Sequence, residues 1–199
     1  MPASVDKNMF ASMYSGQPPW DIGRPQPAFT KVADQIAGAV LDAGCGTGEH
    51  SLYFAGKGCK VTGIDFLEEP IQRANRKAAE RGLSVTFLVK DATDLKNWAE
   101  RFYNVIDSGL FHGFSDEDRT KYVEGLATVL KLGGRLFLMC FRIRGGTTSA
   151  FAVERISIRS FSKPNGMNSV LRNREVIFWW LLRISQLNDW LPKKAGGMV

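Results

Sequence analysis

Four carboxylates and one histidine stand where apolar runs end. Asp42, Asp65, Asp91 and Asp107 each close or follow such a run, and His112 comes shortly after the last of them. Directly behind Asp42 come Gly44, Gly46 and Gly48, then Glu49. A strand, a glycine-rich turn and a helix N-terminus in that order hold a nucleotide-like ligand against bare backbone, because glycine has no Cβ and reaches left-handed conformations. A carboxylate after the second strand is suited to the two hydroxyls of a ribose. A histidine titrates near neutrality and is suited to accepting a proton. Any one of these acids alone reads best as a helix cap or a partner for lysine. Four at successive strand ends point instead to a ligand.

The elements that must position them follow from hydrophobic periodicity. Residues 38–42 and 58–65 read as buried strands and 47–57 as the helix after the turn. Residues 67–81 read as a charged amphipathic helix closed by Gly82. Strands three and four fall at 85–90 and 102–107, a helix with acids in its first turn at 116–131, and strand five at 135–141, after Gly133-Gly134. Strand and helix thus alternate with short connections. Parallel strands need helical crossovers, so the expected fold is α/β, a Rossmann-like, doubly wound, mostly parallel sheet. Such sheets bind ligands beyond the carboxyl ends of their strands, where the glycine turn and the four acids lie.

Ahead of the first strand, residues 10–27 hold four prolines and two glycines, which forbid a long helix. This arm has two readings. In one, Trp20 covers apolar surface. In the other, the arm is a lid, with Trp20 as an aromatic wall and Arg24 as a cation beside a carboxylate, and the neighbouring glycine turn favours it. Residues 27–36 then read as a short helix with Phe29, Val32 and Ile36 on one face.

The turn departs from a dinucleotide fingerprint, because Glu49 stands where G-x-G-x-x-G requires its third glycine. With Asp42 it makes an acidic rim that repels a pyrophosphate and attracts an amino group and a sulfonium. S-adenosylmethionine suits that rim better than NAD. The stretch from Val40 to Gly48 resembles the signature of class I S-adenosylmethionine-dependent methyltransferases, with Asp65, Asp91-Ala92 and Asp107 in the places of their later motifs. The resemblance covers residues 10–142. More narrowly, Pro18 to Pro27 and Ile106 to His112 resemble small-molecule methyltransferases similar to those for thiopurines, thiols and halides, and heterocyclic toxins or quinones. The resemblance implies that Trp20 caps the methionine end of the cofactor, lined by Gly44, Gly46 and Glu49. It implies Asp65, with Phe66 beside it, at the ribose and Asp91 and Ala92 beside the adenine. Residues from Asp107 onward would face cofactor and acceptor.

Methyl transfer from a sulfonium is an in-line displacement in which the protein aligns the reactants and excludes water. A base is needed only where the acceptor must first lose a proton. His112 is that base, or else it hydrogen-bonds in the pocket wall; both readings stand. His50 and Cys45 read as structural, and Phe111 and Phe114 as core or as the wall of an aromatic-acceptor pocket. Three cysteines and two histidines without ligand spacing suggest no metal. Two alternatives remain from other classes: a cofactor-binding protein without catalysis, and a nucleotide-dependent oxidoreductase.

Composition agrees with a globular chain, 44% hydrophobic and 23% charged. The net charge of +6 is concentrated at the end: from Gly145 onward eight Lys and Arg face three Asp and Glu, +5, leaving 18 against 17, +1, in the rest. A near-neutral body is no nucleic-acid groove. No apolar run is long enough to span a bilayer and no signal-peptide core is visible, so cytoplasmic location and a small-molecule partner are expected. The expected division is a methyltransferase domain over 1–145, with its arm at about 10–27, and an atypical tail over 146–199. Residues 150–161 alternate weakly, and Trp179-Trp180 sit in a segment apolar on both faces, unlike the helix and antiparallel hairpin that usually finish this fold. A reading-frame slip near Arg155 is one account of the tail; a divergent surface-binding tail is the other.

Overall fold

The computed structural model describes residues 7–144 and 147–157, with side chains from Asn8 to Met139. Two short helices, α1 (Lys7–Met13) and α2 (Pro27–Lys31), and a 3-10 turn (Ala33–Gln35) precede β1 (Ala39–Ala43). Then come α3 (Glu49–Gly56), β2 (Lys60–Asp65), α4 (Glu68–Glu80), β3 (Thr86–Val89) and β4 (Phe102–Ser108). A second 3-10 turn (Phe111–Gly113), α5 (Asp116–Val129), β5 (Leu130–Arg144) and β6 (Thr147–Ser157) complete the described chain.

The six strands form one sheet in the order β3-β2-β1-β4-β5-β6, the first five parallel and β6 antiparallel to β5. The order reverses between β1 and β4. Register brings Ala43 level with both Ile64 and Asp107, so the ends of β1, β2 and β4 open on one crevice.

Alternation along the strands sorts residues between two layers. Leu41, Ala43 and Val105 pack with Tyr122, Leu126 and Val129 of α5. Val40, Ile106 and Phe137 pack on the other face with Phe29 of α2 and Phe54 of α3. Each fully buried Phe or Leu contributes about 1.5–3 kcal/mol. The fifth helix begins at Asp116 as expected, behind a side-chain cap: Ser115 Oγ accepts from the Asp118 amide at 3.2 Å, and Asp116, Glu117 and Asp118 complement the dipole.

Three boundaries differ from the periodicity. Residues 27–36 break into α2 and a 3-10 turn. The α5 helix stops at Val129, because buried Leu130 already pairs with Phe102 while Asn104 pairs with Arg135. The residues between bulge out through Gly133, at φ +77°. The division expected at 145 falls between β5 and β6, which pair from Arg144↔Thr147 to Arg135↔Ser157. The tail readings beyond Ser157, the frame slip among them, lie outside the described residues.

Candidate active site

The glycine turn lies at the sheet's reversal point. A Cβ on Gly46, where φ is +53°, would stand 2.9 Å from the Tyr14 hydroxyl. One on Gly48 would meet Phe87 at 2.8 Å and Ala74 at 2.9 Å. These positions admit only bare backbone. The amides of the turn are already bonded: Cys45 N to Ile64 O at 2.8 Å, Gly46 N to Asp65 Oδ2 at 3.0 Å and Gly48 N to Cys45 O at 2.9 Å. A phosphate cradle needs such donors free. This turn has three of them engaged and carboxylates beside it.

The strand-end acids do not form one rim, which corrects the simple expectation. Asp42 points from β1 into the α3 face, where Ser51 Oγ donates to it at 2.6 Å. Burial pushes its carboxyl up to about 7. Asp107, one strand over, points to the opposite face. Its Oδ2 accepts from Tyr122 of α5 at 3.0 Å and its Oδ1 from the Leu110 amide at 2.8 Å, and burial raises it to about 6. Glu49 is also diverted. Lys77 reaches its Oε1 at 2.8 Å and Arg81 its Oε2 at 3.1 Å. Burial works against its ionisation, but hydrogen bonds from Arg81 and Lys77 hold the carboxyl below the usual range. All three acids are internal ties of the scaffold.

Asp65 alone among them meets the turn directly. Oδ2 accepts from Gly46 N and Oδ1 from Leu67 N, each at 3.0 Å. Each oxygen retains a second lone pair. Phe66 follows, half-buried. Asp91 Oδ1 accepts from the amide and hydroxyl of Thr93 at 2.9 and 2.7 Å, and buried Ala92 lies beside it in the chain.

The arm reaches the same crevice. Trp20 is 40% exposed, tilts against Phe10 with ring centres 5.5 Å apart, and donates from Nε1 to Tyr14 Oη at 3.3 Å. Phe10 in turn meets Phe66 edge-on at 6.3 Å. Asp21 Oδ2 accepts from Thr47 Oγ1 at 2.8 Å, and Lys77 Nζ donates to the same hydroxyl at 2.8 Å. Arg73 donates to the Tyr14 and Gly16 carbonyls at 2.7 and 3.1 Å. His50 Nε2 accepts from the Gln26 amide at 3.1 Å, which accounts for that histidine structurally. Arg24 is exposed on the arm and forms no hydrogen bond or ion pair with the described residues.

Across the crevice, Gly109 (φ +94°) and His112 face each other so closely that a Cβ on the glycine would stand 3.1 Å from His112 Cε1. Arg119 fixes this turn by donating to the Phe111 carbonyl at 3.3 Å and the His112 carbonyl at 3.2 Å while pairing with Asp116 at 2.9 Å. Burial and the Arg119 charge push the imidazole below its ordinary value, so His112 is neutral at physiological pH. Phe111 and Phe114 pack on Tyr122 as core. Cys45 is buried, and burial raises its thiol well above the ordinary value, so it is no nucleophile. Among the described residues no group of His, Cys, Asp or Glu is placed to hold a metal, and no helix is long and apolar enough to cross a membrane.

Motif reading overlooked Tyr14, Arg73, Lys77, Arg81 and Arg119. Arg73 and Lys77 of α4 and Arg81 at its C-cap were detectable: the three positions recur every four residues and form one stripe, which faces the arm and Glu49. Nothing in the chain marks Tyr14 out from other aromatics.

Comparison with known proteins agrees with this geometry. The methyltransferase domain family matches residues 40–134. Over 146 residues the chain is 38% identical to the 2-heptyl-1-hydroxyquinolin-4(1H)-one methyltransferase of Mycobacteroides abscessus, covering 68% of this chain and 64% of that protein. It is 30% identical over 132 residues to an uncharacterized methyltransferase of Schizosaccharomyces pombe, covering 62% of this chain and 91% of that one. A solved structure concerning conversion of a disulfide bond into a thioacetal group during echinomycin biosynthesis superposes with a TM-score of 0.65 at 44% identity, over 69% of this chain and 60% of that chain. The chain thus spans less than two thirds of the first and third of these relatives. The glycine turn, the strand order and these matches agree: the chain belongs to the class I S-adenosylmethionine-dependent methyltransferases.

Proposed function

We propose that this protein transfers a methyl group from S-adenosylmethionine to a small aromatic, heterocyclic, quinone or thiol acceptor. The observation that carries the reading is the glycine turn: Cβ atoms are excluded at Gly46 and Gly48, three turn amides are already bonded, and the Asp65 carboxylate sits across it. That arrangement fits a ribose-bearing ligand without a pyrophosphate. When bound, the cofactor supplies a methyl group already activated on a sulfonium.

The chain's residues then divide by role. Asp65 accepts the ribose hydroxyls, Gly44 and Gly46 give close backbone approach, and Asp91 and Ala92 flank the adenine. Trp20 and Phe66 shield the site from water. Asp42, Glu49 and Asp107 act at one remove, holding α3, α4 and the Phe111–Gly113 turn. For an acceptor bearing a proton on oxygen, nitrogen or sulfur, neutral His112 receives that proton at its imidazole.

The M. abscessus relative acts on a hydroxyquinolone, which supports a hydroxylated heterocycle as the first acceptor to test. The buried free thiols of Cys45 and Cys59 suit a reducing cytoplasm. Calorimetric titration with S-adenosylhomocysteine and with NADH tests the cofactor, and binding of NADH alone refutes the reading. A methyl-release assay over hydroxyquinolones, quinones and thiols tests the activity. Binding without turnover on any acceptor makes the chain a cofactor-binding protein instead.

A further inference from the structure

Tyr14 lies outside the motif residues, yet its hydroxyl sits over the glycine turn. The ring is 5% exposed. Its Oη is the atom that a Cβ on Gly46 would strike, at 2.9 Å. Trp20 Nε1 donates to Oη at 3.3 Å, and among the described residues no atom accepts the phenol's own proton. Arg73 of α4 fixes the main chain here through the carbonyls of Tyr14 and Gly16. Burial and the Asp65 carboxylate both raise the phenol above its ordinary value, so the group is a donor throughout the physiological range.

A hydroxyl donor is the missing complement of this part of the site. The turn amides of Cys45, Gly46 and Gly48 are bonded within the protein, and Asp65 beside them is an acceptor. The amino-acid end of the cofactor carries a carboxylate as well as an ammonium. A carboxylate brought to Gly46 meets bonded amides and another carboxylate unless a free donor is present. The aimed O–H of Tyr14 is such a donor, and its distance from bare Gly46 backbone leaves room for a ligand atom rather than a side chain.

Resting on the cofactor reading above, we propose that Tyr14 Oη donates to the carboxylate of the cofactor's methionine moiety, with Trp20 orienting the hydroxyl from behind. Tyr14 is therefore a specificity residue: it selects the amino-acid form of the ligand over a form without the carboxylate.

The test compares two ligands on two proteins. S-adenosylhomocysteine and its decarboxylated analogue, S-adenosyl-3-thiopropylamine, are titrated calorimetrically into the full chain and into Tyr14→Phe. A hydrogen bond to a charged group predicts that the variant binds S-adenosylhomocysteine about 10- to 100-fold more weakly. Its affinity for the analogue should stay within about twofold of the parent. Equal losses for both ligands would overturn the proposal and make Tyr14 a packing residue, as would an unchanged affinity for S-adenosylhomocysteine. A partly unfolded variant lowers the fitted number of sites but not the ratio of the two affinities, so the comparison survives a loss of stability. If the parent protein binds neither ligand, the cofactor reading itself fails, and this proposal with it.

Discussion

Replacing Asp42 by Asn should remove a pH dependence of stability. Asp42 is 1% exposed and its described side-chain partner is the Ser51 hydroxyl. Burial raises its carboxyl from an ordinary 3.8 to about 7 in the folded protein. Between those values the folded chain holds a proton that the unfolded chain has released. The stability tied to that proton is therefore complete below about pH 4 and is lost as pH rises through about 7. Each unit is worth about 1.4 kcal/mol, so the part lost between pH 5 and pH 8 is about 3 kcal/mol. Asn keeps an acceptor for Ser51 and has nothing to titrate. Its buried NH2 adds a cost of about 1–3 kcal/mol, but that cost does not change with pH. The quantity to measure is therefore the change in variant-minus-parent stability between pH 5 and pH 8, from urea unfolding or melting temperature. For a domain of this size the variant should gain roughly 6–12 °C on the parent over that interval. Asp107 remains in both proteins, so its own shift largely cancels. Parallel pH profiles for the two proteins would show that Asp42 is ionised in the fold and refute the argument.

Three further outcomes follow from the site. Asp65→Ala should weaken S-adenosylhomocysteine binding by about 10- to 100-fold in calorimetry, since it removes the acceptor for the ribose and unties the Gly46 amide; unchanged affinity would end the ribose assignment. Glu49→Gln should cost about 1–2 kcal/mol in urea unfolding at pH 7, less than a fully buried pair because Lys77 and Arg81 are partly exposed. That loss should shrink as pH falls through the lowered pKa of Glu49, where the parent gives up the same tie; a loss that persists in acid would mean the pair is not its source. Arg119→Met should move the acid limb of the kcat/KM profile to higher pH, because the charge that depresses His112 is gone. An unmoved limb would exclude His112 as the base.

The sheet was largely legible in the chain because its signals are local. Apolar runs closed by acids, Gly82 after α4, and the acids in the first turn of α5 all act within a few residues of the structure they set. The boundaries that moved are those decided at a distance. Leu130 leaves α5 because Phe102, far back in sequence, offers it a ladder position. The arm's details also resisted reading, since its contacts to α4 join residues some 57 and 59 positions apart, Gly16 and Tyr14 with Arg73.

The carboxylates give the clearest case of what sequence conveys and what it leaves out. Asp42, Asp65 and Asp107 look alike as strand ends, but side chains alternate between faces, so one residue of register decides what each acid meets. Asp42 shares the face of Val40 and finds α3; Asp107 shares the face of Val105 and finds α5. Asp65 lies on the same face as Asp42, which pairs with Gly63, but stands two residues further toward the carboxyl edge, where the Gly46 amide reaches it. Of the three, it is the one whose carboxylate touches the turn. Face parity thus separates Asp107 from Asp65, and position along the strand separates Asp42 from Asp65. Burial raises all three carboxyls, Asp42 to about 7, Asp107 to about 6 and Asp65 above its ordinary value, but of the three only Asp65 bonds to the turn, where each of its oxygens keeps a second lone pair. Ligand should therefore alter the titration of Asp65 strongly and that of Asp107 little, which carboxyl chemical shifts measured with and without S-adenosylhomocysteine can separate. Equal perturbation of both would mean that face parity does not assign these roles.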